Sequence, residues 1–215
     1  MTPEPLEIIV QIIDLFTYSI IICSLFSNDD SKIHMCKYLV QSKCIIDFIQ
    51  CMINVKPLKY DIIIHHTLTI ILVQASVHCE YNTNIYDITT INYITKTLIT
   101  TEVSALFLTV NNLLKHINWT DTVLYGINRN IFIFTFLYYR TYQLCGLFFF
   151  VMKKRELISL NIPLLNDSEP QIYMKLNTII AIVCLTGIIA LNFAWSAVLI
   201  ERLYSIIHLN IQYYN

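Results

Sequence analysis

Lys59-Tyr60-Asp61-Ile62-Ile63-Ile64-His65-His66-Thr67-Leu68-Thr69-Ile70-Ile71-Leu72-Val73 is the stretch whose reading decides the fold. It is apolar enough for a membrane, yet an aspartate stands at its mouth and two adjacent histidines lie inside it. Ionisable side chains in an apolar span are costly and face a bundle interior or a hydrated cavity. At about 100° per residue, Asp61, His65, Thr69 and Ser76 share one stripe, with His66 flanking it. The plainer alternative is a histidine pair in a wet headgroup layer, holding a helix end.

The same alternation of apolar block and polar break recurs on both sides. Candidate spans cover residues 6–27, 38–55, 61–78, 97–114, 122–150 and 176–204, which predicts an all-α, six-span membrane bundle forming one domain over 1–215. The third span is about 27 Å long at 1.5 Å per residue, close to the hydrocarbon thickness. Asp14 interrupts the first span, which lacks the cationic start of a signal peptide and reads as a retained helix. The polar run 27–34 reads as a loop, and residues 85–96 as either an interfacial helix or the early turns of span four. Lys153-Lys154-Arg155 is expected to end span five, ahead of a loop containing Pro163 and Pro170.

Composition agrees with a membrane. Of 215 residues, 56% are hydrophobic and 13% charged, about half the charge of a soluble domain. The mean hydropathy is +0.58. A formal net charge of −1 argues against nucleic acid as a partner, because phosphate binding needs a basic patch. The seven cysteines are scattered, without a C-x-x-C pair or histidines at ligand spacing, so neither a disulfide framework nor a metal site is expected.

Polar residues inside the spans carry the functional reading. Lys43 and Asp47 are four apart and able to pair along a helix. Thr97, Thr100, Ser104 and Asn111 share a face suited to close helix packing. Glu102 needs a cationic or protonated partner at its depth, and Arg140, amid Tyr138, Tyr139 and Tyr142, is the intramembrane cation expected to pair with it. Arg129 reads as a helix-end arginine snorkelling to the interface. Asn192 and Trp195 read as packing and interface residues.

Asp47, Tyr60-Asp61-Ile62-Ile63-Ile64-His65-His66-Thr67-Leu68-Thr69, Thr101-Glu102-Val103-Ser104 and a buried arginine in span five together resemble the TLC-domain superfamily, from about residue 6 to 204. The chain resembles the small TLC-domain-containing branch more closely than the ceramide synthases. In the latter, the region matching Glu102–Ser104 reads His-Asp and a second Asp follows; here Ser104-Ala105-Leu106 follows Glu102-Val103. The ceramide-synthase branch implies a helical barrel enclosing an acyl chain with both histidines at the chemistry, and the resemblance implies the endoplasmic reticulum.

The expected chemistry is acyl transfer from an acyl thioester to an amine or hydroxyl of a lipid. His65 would be the general base, oriented by Asp61 or Asp47, because imidazole titrates near neutrality. His66 would be acyl acceptor or oxyanion donor. Asp47, Thr69, Glu102, Ser104 and Arg140 would line the pocket. No cofactor is expected, with acyl-CoA as a candidate co-substrate and membrane lipids as partners. The alternative is a non-catalytic lipid-binding, lipid-sensing or cargo-handling protein using the same cavity. A channel fits poorly, lacking an acidic ring, an inverted repeat or broken helix pairs. Lys and Arg placement leans toward termini outside the cytosol, whereas the resemblance implies cytosolic ends. Of the sequons at Asn118 and Asn166, Asn166 is the expected glycan acceptor.

Overall fold

The computed structural model describes residues 5–27, 30–54, 60–81, 88–161 and 169–214. Among these residues the chain is helical, with no strand. The helices are α1 (Pro5–Leu25), α2 (Asp30–Asn54), α3 (Tyr60–Tyr81), α4 (Ile88–Thr100), α5 (Glu102–His116), α6 (Val123–Thr135), α7 (Leu144–Asn161) and α8 (Glu169–Tyr214), with a π-helical segment over Phe136–Gln143. Since α4 runs into α5 and α6 into α7 through the π segment, the described residues make six rods. Among the described residues, three stretches are long and apolar enough to cross a membrane: Glu7–Leu25, Tyr93–His116 and Ile179–Ser205. Tyr60–Gln74 is a shorter apolar stretch.

Several boundaries differ from the sequence expectation. Asp30–His34, expected as loop, opens α2. Lys153-Lys154-Arg155 does not end α7, which continues to Asn161; Lys and Arg are good helix formers, and the next helix breaker is Pro163. Pro170 lies in the first turn of α8 rather than in a loop, at a position where a missing N–H costs nothing. Residues Ile88–Lys96 belong to the rod that becomes span four. Asn166 lies outside the described residues.

Local chemistry explains two of the joints. The hydroxyls of Thr97, Thr100, Thr101 and Ser104 donate to the carbonyls of Tyr93, Thr97, Leu98 and Thr101, at 2.9, 2.6, 2.7 and 2.9 Å. Such back-bonding competes with the helical ladder and bends it, and the rod breaks at Thr101, whose N–H reaches back only three residues, to Leu98 O. At the end of α5, Asn118 adopts φ 58°, which asparagine tolerates better than most residues. Trp119 N then donates to Leu114 O at 2.8 Å, closing a Schellman-type cap. Thr122 caps the start of α6 by accepting from Tyr125 N. Asn118 is exposed on this turn.

Two apolar clusters hold the bundle. One joins Tyr18, Ile21, Leu25, Cys36, Val40, Cys44, Ile99, Val103 and Ala105 from α1, α2, α4 and α5. The other joins Leu72, Leu144, Leu147, Cys184, Leu185 and Ile188 from α3, α7 and α8. Polar ties stitch neighbouring rods: Asn128 Nδ2 donates to Phe107 O at 2.8 Å and Asn111 Oδ1 at 2.9 Å, and Thr100 Oγ1 lies 2.9 Å from the Gln143 side-chain amide. Lys43 bridges Asp14 on α1 at 2.9 Å and Asp47 on its own helix, its ammonium 5.8 Å from the Tyr18 ring centroid.

The α3–α8 seam depends on Gly187. A Cβ there would lie 2.7 Å from Leu68 Cδ1, so the small residue permits close approach, as in membrane helix pairs generally. Gly187→Leu should cost about 1–3 kcal/mol by overpacking, read as a lower midpoint in thermal unfolding of detergent-solubilised protein. Gly187→Ala should cost less, because the obstructing atom ends a flexible side chain.

Candidate functional site

Where the two clusters meet, a cavity opens between α2, α3, the α4–α5 rod, the π segment and α8. Its polar wall carries Lys37, His65, Thr69, Thr95, Thr101, Glu102, Arg140 and Asn192, and the rest is apolar, including Val40, Leu72, Ile99 and Ile188. It offers about 30 Å³ to the centres of water-sized molecules. That is more than a single trapped water requires.

Arg140 is the best-anchored polar group. The Thr101 carbonyl accepts from Arg140 Nε at 3.2 Å, and Ser104 Oγ accepts from the same nitrogen at 2.8 Å. Arg140 Nη2 lies 3.7 Å from Glu102 Oε2, both side chains largely buried. The guanidinium also sits 5.7 Å from the Phe136 ring centroid. The π segment that presents Arg140 is tied to α8 by Thr141 Oγ1 and Ser196 Oγ, 2.8 Å apart. π-Helical turns concentrate at functional sites, and no glycine or proline in Phe136–Gln143 marks this one in the sequence.

The expected pocket residues divide. His65, Thr69, Glu102 and Arg140 line the cavity, whereas Asp47, Asp61, His66 and Ser104 do not. Ser104 stands behind the wall and holds Arg140. The Asp47 carboxylate is taken by Lys43 and does not orient His65. Asp61 is exposed and accepts from Trp195 Nε1 at 2.9 Å, not from an imidazole. The Thr69 hydroxyl is turned to its own helix, donating to His65 O at 2.8 Å. His66 packs its ring 5.6 Å from that of His65 at a steep angle.

Trp195 replaces the expected carboxylate as the neighbour of His65. The ring centroids are 5.2 Å apart at 60°, so Asp61 acts on His65 only through the indole it holds. Trp195→Phe removes that hydrogen bond while keeping most of the ring. Trp195→Phe and Asp61→Asn should therefore alter any His65-dependent readout alike, and the double variant should add little to either. Strictly additive losses would separate Asp61 from His65.

The sequence reading missed Asn192 and Trp195 as site residues. With Ser196 they form one polar face of an otherwise apolar span, a signal that spacing three and four carries. Among the described residues no group of three or more His, Cys, Asp or Glu side chains is placed to hold a metal ion.

Fold and site together define an all-helical protein with helices fit to cross a membrane, built around a small buried cavity with one polar wall. No family model, curated protein or solved structure matches the chain.

Proposed function

We propose that this is a multi-pass, TLC-like membrane protein of lipid metabolism, resident in the endoplasmic reticulum, whose cavity takes the polar end of a lipid. The observation that carries this reading is the convergence of His65, Glu102, Arg140 and Asn192 on one cavity among apolar rods. Ionisable groups at such depth are expensive unless they serve a site, and the apolar remainder of the wall suits an amphiphile. α2, α3 and the α6–α7 rod supply the further spans of a six-span bundle, with Lys43, His65 and Arg140 turned inward. The lipid's acyl part stays in the bilayer and only its polar end enters.

Acyl transfer is the second reading. In its favour, an imidazole that could take a proton shares a wall with a guanidinium that could stabilise an oxyanion. Against it, neither carboxylate expected to orient His65 does so, since Lys43 takes Asp47 and the Trp195 indole takes Asp61.

The test pairs His65→Ala with His66→Ala in cells, comparing lipid profiles at matched protein abundance. His65→Ala should abolish the profile change that the wild type causes. His66→Ala should weaken it less, since His66 is off the cavity wall. A profile indifferent to His65 at normal abundance overturns the reading. Product formed from acyl-CoA and a lipid acceptor by purified wild type, and lost in His65→Ala, would establish the catalytic version.

A further inference from the structure

Three residues on the cavity wall each keep a buried side-chain polar atom without a hydrogen-bond partner: His65 Nδ1, Thr95 Oγ1 and Asn192 Oδ1. The residues are only 9%, 2% and 1% exposed. The large majority of buried side-chain polar atoms are paired in native proteins, so three orphans around one cavity point to a missing partner. His65 and Asn192 belong to helices that pack directly on each other, α3 and α8.

The chemistry of that partner is narrowed by Asn192. Its Nδ2 donates to Ile188 O at 2.8 Å, which fixes the orientation of the amide and leaves Oδ1 as the orphan. An amide oxygen only accepts, so the partner must bring an O–H or N–H. Arg140 on the same wall disfavours an ammonium. Lys37 lines the cavity as well and adds to that effect, while an ionised phosphate oxygen only accepts and leaves Asn192 Oδ1 unpaired.

We propose that the cavity receives an uncharged hydroxyl, the alcohol end of a neutral lipid. Its O–H donates to Asn192 Oδ1 and its oxygen accepts from His65 Nδ1–H. This rests on the lipid reading above and specifies the headgroup class.

The full chain in phospholipid nanodiscs is photolabelled with three diazirine probes of matched chain length: a diacylglycerol, a phosphatidate and a primary alkylamine. The diacylglycerol should label α3 and α8 saturably, in competition with unlabelled diacylglycerol, and the other two should label roughly tenfold less. Asn192→Leu, which removes the acceptor at similar volume, should lower diacylglycerol labelling by a similar factor at equal folded amount. Should that variant not fold, the wild-type comparison decides alone. Phosphatidate or amine labelling equal to that of diacylglycerol, or labelling unaffected by Asn192→Leu, overturns the hydroxyl assignment and leaves the lipid reading intact. Failure of all three probes to label α3 and α8 overturns both.

Discussion

Lys43→Met should be the most damaging single substitution in the bundle, costing about 3–5 kcal/mol, the range for breaking a buried ion pair. The ammonium of Lys43 joins Asp14 of α1 to Asp47 of α2, and its removal strands two carboxylates among apolar rods. The Tyr18 ring beside it offers neither carboxylate a positive charge. Folded yield by size-exclusion chromatography in detergent, with the thermal midpoint, measures the loss. Asp14→Asn/Lys43→Met/Asp47→Asn should recover most of it, because charges removed together leave none uncompensated. A triple variant as damaged as Lys43→Met would show that the lysine matters for packing and not for charge.

Arg140→Met should follow closely, also at about 3–5 kcal/mol. It leaves Glu102 without its cation and the Thr101 carbonyl and Ser104 hydroxyl without the donor they share. Glu102→Gln should be milder, since Arg140 keeps two of its three partners. The Glu102→Gln/Arg140→Met double variant should be more stable than Arg140→Met alone, but it should not reach wild type, because the Thr101 and Ser104 contacts stay lost. Simple additivity of the two single losses in the same unfolding assay would mean that the 3.7 Å approach carries no coupling.

These two ion-pair systems were legible in the sequence to different degrees. The i,i+4 spacing of Lys43 and Asp47 announced itself, as did the need of Glu102 for a cation, since helical geometry and the cost of buried charge act locally. The capture of Asp47 by the α1–α2 system was not legible. Asp14 read as an interruption of its span, and nothing in spacing says that it reaches Lys43 on the next helix. His65 illustrates the same limit. Its stripe with Asp61 suggested a carboxylate partner one turn away, but Asp61 is exposed on its helix and bonds the Trp195 indole across the α3–α8 seam. A tryptophan in an apolar span looks the same in sequence whether it packs on lipid or on an imidazole.

The rods themselves were readable as blocks, because apolar length is additive along a chain. Their ends were less so: lysine and arginine do not stop a helix, and Pro170 is tolerated in a first turn. The π segment was invisible. Its extra residue per turn is compensated by contacts such as Thr141 with Ser196, distant in sequence and set only by packing. Asn192, one residue in a long apolar helix, acquires meaning only when Ile188 O fixes its amide and leaves the oxygen over.

The most direct test of the central claim, that the His65–Asn192 cavity takes the polar end of one lipid, is native mass spectrometry of the full chain released from nanodiscs. The wild type should retain a single lipid adduct at one per chain. His65→Ala and Asn192→Leu should each lose it, while Gly187→Ala, on the same seam but off the wall, should keep it. A wild type that carries no defined adduct, or variants that retain it undiminished, would contradict the account.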